Sequence, residues 1–251
     1  MIFEENLNRM TINELENFSN SVISRFASFN EASWKFSPDI VRDGDLSADT
    51  ADLFSINQNH PVIHISNNEC TVKQSENIFD LLGVYKFVAP NSSGEIIMYS
   101  KCIAEYAESM FNNTTYLGIF TSVLECEKFV YKVVLFHELG HWISHWSLDS
   151  NNNFWSDDFW ELRPNPNDLL EGLAQYICYY FILHDKDCNK LKFTFEHLLL
   201  NSSPPYHKHI EIIKHKKNSF INMLSAIEKI RLKAINDQTL EQFLNELDKI
   251  V

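Results

Sequence analysis

Glycine and proline are scarce in this chain, at 6 and 7 of 251 residues. That scarcity excludes collagen-like repeats, low-complexity segments and an extended loop-rich architecture. No run of apolar residues is long enough to span a bilayer. The first residues, MIFEENLNRMTINELENF, carry acids where a secretory signal would be basic, and they lack an apolar core segment. Positive charge is also short, with 21 Lys and Arg against 34 Asp and Glu for a net charge of -13. A grip on phosphate backbones needs a basic surface, so no nucleic-acid partner is expected. The cysteines Cys70, Cys102, Cys126, Cys178 and Cys188 are odd in number and show no CxxC pair, which reads as free thiols in a reducing compartment. Taken together, these absences describe a soluble, cytoplasmic protein without a membrane segment.

What is present is enough apolar material for a full-sized core: 45% of residues are hydrophobic and 19 are Phe. Thr11-Ile-Asn-Glu14 fits a capping box that opens a helix to about Phe29. From Asn30 to Asn59 the polar and acidic residues read as irregular structure. Residues 1–59 are therefore expected to form an N-terminal helix and irregular segment, with one domain over 60–251. Pro61–Ser66 is a strand candidate, Val72–Leu82 a helix ending at Gly83, and Val84–Ala89 with Glu95–Tyr99 a hairpin around Asn91-Ser-Ser-Gly94. A helix is expected over Lys101–Phe111. The capping box Ser122-Val-Leu-Glu125 opens a long one to Trp146 that is apolar around most of its circumference and so should be central and buried. Asn165-Pro166 reads as a cap and first turn for a helix to about His184, after which three or four more helices and no further strands are expected.

Inside the long helix, residues 137–141 read His-Glu-Leu-Gly-His. Positions i and i+4 on a helix are turned about 40° apart and one turn up, so both imidazoles can reach one ion. Glu138 lies on the rim of that face, where it can contact water on the ion without ligating it. His145 lies two turns beyond His137, about 12 Å along the axis, and is too far to complete one tetrahedral centre. It is expected to be a supporting or surface residue. The third ligand must come from elsewhere, and Glu171, Asp168 and Glu161 are the nearby carboxylates. Asp168 falls in the first turn of its helix, where an acid commonly serves the dipole. Ala174, one turn after Glu171, is small enough to let two helices approach closely.

The pair of segments His137–His141 and Glu171-Gly-Leu-Ala-Gln175 resembles the gluzincin metallopeptidases, over about residues 122–184. In that family H-E-x-x-H is followed by a helix carrying a ligand glutamate in an E-x-x-A or similar motif. The resemblance implies a mostly helical α+β zincin-like fold, with a small N-terminal sheet packed on the H-E-x-x-H helix and a helical C-terminal half. It implies Zn²⁺ held by His137, His141 and Glu171, Glu138 as general base, and a peptide or protein substrate. It also implies an edge strand that pairs with that substrate, and Gly94–Tyr99 is the best match. Gluzincins commonly place a Tyr or His beyond the ligand glutamate to stabilise the oxyanion. Tyr206, held behind Pro204-Pro205, is the preferred candidate here, with His207 and His209 as alternates. The rival reading is a catalytically inactive, zinc-stabilised interaction protein on the same fold. The aromatic stretch Phe154–Trp160 either lines a cleft or covers core, and the basic stretch His207–Lys217 reads as a solvated helix face.

Overall fold

The computed structural model describes residues 14, 15, 17, 40–42, 62–67, 77–86, 94–146, 167–234 and 237–250. Four short strands form one sheet: β1 (Ile40–Arg42), β2 (Val62–Ser66), β3 (Gly83–Lys86) and β4 (Glu95–Tyr99), in the order β1-β2-β4-β3. Strand β2 runs parallel to both neighbours, and β3 runs antiparallel to β4. Eight helices accompany them among the described residues: α1 (Ile78–Leu82), α2 (Ser100–Thr114), α3 (Val123–Trp146), α4 (Asp168–Leu183), α5 (Cys188–Leu199), α6 (His209–Lys214), α7 (Phe220–Ile230) and α8 (Leu240–Lys249). The fold is therefore α+β and mostly helical, as the sequence led one to expect.

Helix α3 is the axle. Every residue from Val130 to His145 is buried, because α2, α4 and α5 pack along it and the sheet lies across it. The register stacks Ile63, Ile96 and Tyr85 in one row and Ile65, Met98 and Gly83 in the next. All six are buried, and a Cβ on Gly83 would come within 2.7 Å of Val134 Cγ1, so this face of the sheet lies on the helix. Each large side chain removed from water there contributes about 1.5–3 kcal/mol. The expected cap at Ser122 forms, its Oγ accepting from Glu125 N at 3.1 Å. The Glu125 carboxylate reaches Thr121 N at 2.7 Å and ion-pairs with Lys190 on α5.

Several expectations need correcting. The cap of α4 is Asn167, two residues after Asn165, with its side chain accepting from Leu169 N and Leu170 N. Ile40–Arg42, read as irregular, pairs as a strand with β2, so part of the N-terminal segment belongs to the sheet. Strand β4 is not an edge: it lies between β2 and β3, and β3 is the edge. Hydropathy alone cannot tell which of two adjacent strands has a second neighbour. Cys102, buried on α2, is disulfide-bonded, so among the described residues the free thiols are Cys126, Cys178 and Cys188. The helix expected over 11–29 lies mostly outside the described residues, as do the stretch 154–160 and Glu161.

Helices α3 and α4 meet at backbone distance. A Cβ built on Gly140 would fall 2.6 Å from the Ala174 carbonyl oxygen and 2.8 Å from its Cα. The buried ion pair of Lys132 with Asp185, at 2.6 Å, holds the same two segments further along. Gly140→Ala would gain about 1 kcal/mol of helix propensity. The obstacle is backbone rather than a mobile side-chain tip, so the helices must move apart, and overpacking of this kind costs about 1–3 kcal/mol or more. Gly140→Ala is expected to unfold at lower temperature and to carry less bound metal, measured by thermal denaturation and metal analysis. A more stable variant would mean that the helices do not touch here.

Candidate metal centre

Helix geometry delivers the two imidazoles and α4 delivers a carboxylate. His137 Nε2 and His141 Nε2 stand 3.1 Å apart, and Glu171 Oε2 lies 3.5 Å from the first and 3.3 Å from the second. Four ligands at about 2.0–2.1 Å around a tetrahedral ion are separated from one another by about 3.3–3.4 Å. The three atoms thus already lie near the corners of such a tetrahedron. The ligand-capable atoms of His137, Glu138 and His141 also all fall within 4.8 Å of one another, so Glu138 stands beside the same two imidazoles. All four residues are buried.

Burial also makes the polar atoms informative. His137 Nδ1 and Glu171 Oε2 have no hydrogen-bond partner, nor have both amide atoms of Gln175, one turn beyond Glu171. A buried carboxylate oxygen is costly, and the imidazoles that face this one at 3.3–3.5 Å offset the cost only in part. An ion beside Glu171 Oε2 would remove that cost. The donors present fit a divalent metal with mixed nitrogen and oxygen ligands. This buried His-Glu-His group could hold a metal ion.

The charges in the site respond to the same burial. Burial drives His137 well below the ordinary imidazole range, and the charge of His141 adds to it. His141 feels the same desolvation, but the charge and hydrogen bond of Glu171 outweigh it and lift the group to about 9. Burial pushes the Glu138 carboxyl up to about 8, against the pull of His141. A Cβ on Gly83 would lie 3.2 Å from the Glu138 Cγ and 3.3 Å from its Oε1. Strand β3 therefore passes directly over Glu138.

Tyr206 lies beside the cluster, within a short 3-10 turn (Pro204–His207). Its buried ring lies 5.5 Å from the His137 ring and stacks on Phe79 at 5.5 Å. Its hydroxyl donates to Asp80 Oδ1 at 2.6 Å. Asp80 is held in turn by Asn77 Nδ2 at 3.1 Å, and Asn77 Oδ1 accepts from Ser203 N. This clamp between α1 and the 203–206 turn was not visible in the sequence, since its partners are over a hundred positions apart and none belongs to a motif. Of the alternates, His209 is buried with Nδ1 against the Tyr206 carbonyl at 2.9 Å, and burial lowers it to about 4. His207 lines a shallow surface hollow with Ser202, Pro204 and Lys208. Asp168 is largely exposed and faces Lys208 at 3.7 Å, away from the centre. His145 is wholly buried and bonded to Tyr85 at 2.7 Å, which makes it a supporting residue.

Comparison of the chain with family models, curated proteins and solved structures yields no match. The site must be argued from its own atoms. Glu171→Ala is expected to abolish stoichiometric metal binding, because two imidazoles alone leave an ion half-coordinated. Asp168→Ala should keep the metal and cost about 0.3–1 kcal/mol, the scale of a charge at a helix N-terminus. Metal analysis and thermal unfolding of the two variants check this, and metal lost from the Asp168 variant alone would reassign the ligand.

Proposed function

We propose that the protein is a zinc-dependent peptidase whose centre is formed by His137, His141 and Glu171. The observation that supports this most is the spacing of three buried ligand atoms at tetrahedral distances, with a second buried carboxylate, Glu138, beside them. A structural site has no use for such a base and tends to close with a fourth protein ligand. That counts against the reading as an inactive, zinc-stabilised interaction protein.

Zinc bound there would supply a Lewis acid that brings the pKa of water to about 7 and polarises a carbonyl. The chain supplies the rest. Glu138 accepts the proton of the attacking water and passes it to the leaving amine. Tyr206 is the group we assign to the oxyanion, and its hydroxyl would exchange Asp80 for the developing charge. The substrate is an extended peptide, and we place it along the free edge of β3 rather than along Gly94–Tyr99, because β4 is paired on both sides. Among the described residues no helix is long and apolar enough to cross a membrane. The case for a reducing, cytoplasmic compartment rested on free thiols, and the disulfide at Cys102 weakens it.

Cleavage of a peptide library by the metal-loaded protein, with and without chelator, tests the proposal. Glu138→Gln keeps shape and packing but removes the proton acceptor, so it is expected to retain zinc and lose at least about a hundredfold in hydrolysis. Full activity in that variant at full metal occupancy would overturn the mechanism. Tyr206→Phe should lower kcat by about ten- to a thousandfold at nearly unchanged KM and zinc content. An unchanged kcat there, with a loss in His207→Ala or His209→Ala, would move the role to the histidine.

A further inference from the structure

His145 is left over by the metal centre, yet it is wholly buried on the helix that carries the centre. Its Nδ1 shares a 2.7 Å hydrogen bond with the hydroxyl of Tyr85, and the two rings meet edge to face at 5.8 Å. Tyr85 in turn touches the centre in two further ways. Its strand carries Gly83 over Glu138, where a Cβ would lie 3.3 Å from Oε1, and its ring lies nearly parallel to that of His141, with centroids 6.5 Å apart. The far side of the ring is closed by Gly94, where a Cβ would sit 2.6 Å from the Tyr85 hydroxyl oxygen. Gly94 also has φ of 85°, so glycine suits both the turn and the contact.

We propose that Tyr85 and His145 form a positioning pair that fixes the edge strand over the general base and so orients Glu138. The inference rests on the peptidase reading for its catalytic consequence, though not for its geometry. Among the described strands β3 pairs with β4 alone, and a short strand paired along one edge opens more readily than an inner one. The bond to His145 gives it a second attachment, and that attachment is on α3 itself. Glu138 and His145 therefore ride on one rigid helix, two turns apart, and the bond to His145 keeps the strand seated over Glu138. Without the strand against it the flexible Glu138 side chain has other staggered rotamers to visit. Displacement of a catalytic group by about 1 Å can cost on the order of a hundredfold in rate.

Tyr85→Phe keeps the ring and removes the hydroxyl, while His145→Ala removes its partner. In the metal-loaded protein each is expected to lower kcat by about ten- to a hundredfold, with KM and metal content nearly unchanged. The double variant should be no worse than the worse single one. His145→Asn places an amide atom near the position of Nδ1 and is expected to restore most of kcat. Hydrogen exchange at the Tyr85 amide supplies a readout independent of turnover. It should speed up at least about tenfold in Tyr85→Phe and in His145→Ala, while amides in the middle of α3 stay protected. Unchanged exchange in Tyr85→Phe overturns the pair. A kcat loss that follows unfolding temperature and is not recovered in His145→Asn overturns it too. If the unaltered protein cleaves no peptide, the peptidase reading fails by itself, and the exchange result alone decides the pair.

Discussion

Four titratable side chains, His137, Glu138, His141 and Glu171, are withdrawn from water between two helices and a strand. Taking an ion out of water costs several kcal/mol even after the protein relaxes, and a fold carries such a group only if the rest of it compensates. Here the compensation is local and geometric. The apolar contacts of α3 with α2, α4 and α5 hold the imidazoles in register, and Glu171 meets both at 3.3–3.5 Å. The sheet closes the remaining side. A divalent ion among these atoms would turn mutual repulsion of carboxylates into attraction, and so metal binding and folding are coupled.

The surroundings of the cluster divide into two ties. On one side strand β3 lies over Glu138 at Gly83 and returns to the helix through Tyr85 and His145. On the other the Asn77–Asp80 segment of the chain grips the turn that carries Tyr206. Neither tie depends on the ligands, yet each passes within one side chain of them. Metal sites are commonly tuned in this way, because groups that orient ligands and bases affect affinity and rate without touching the ion.

How much of this could be read from the residues depended on the range of the signal. The long helix, its Ser122 cap and its buried character follow from local pattern, and so do the two imidazoles and the base beside them. Glu171 was reachable because it opens the next strongly apolar helix, and because the motif it sits in resembles a known family. The identity of the edge strand was not reachable: Val84–Lys86 and Glu95–Tyr99 look alike, and only the pairing of β4 with β2 distinguishes them. The Tyr206–Asp80 bond and the Tyr85–His145 bond join residues far apart in the chain, and no periodicity encodes such pairs. His145 carried the one available hint, a polar residue in a helix too apolar to tolerate an idle one. The disulfide of Cys102 escaped because an odd cysteine count without CxxC favours free thiols.

The contact of Gly140 with Ala174 has a mechanical meaning as well as a steric one. Two rods pressed together at a single point of closest approach behave as levers about a fulcrum, and travel is least next to the pivot. His141 is adjacent to Gly140 in the chain, and Glu171 lies one turn from Ala174. Rocking of α4 against α3 therefore sweeps the far ends of the helices while scarcely changing the separation of the liganding atoms. A centre placed at the fulcrum would keep its spacing through any such rocking.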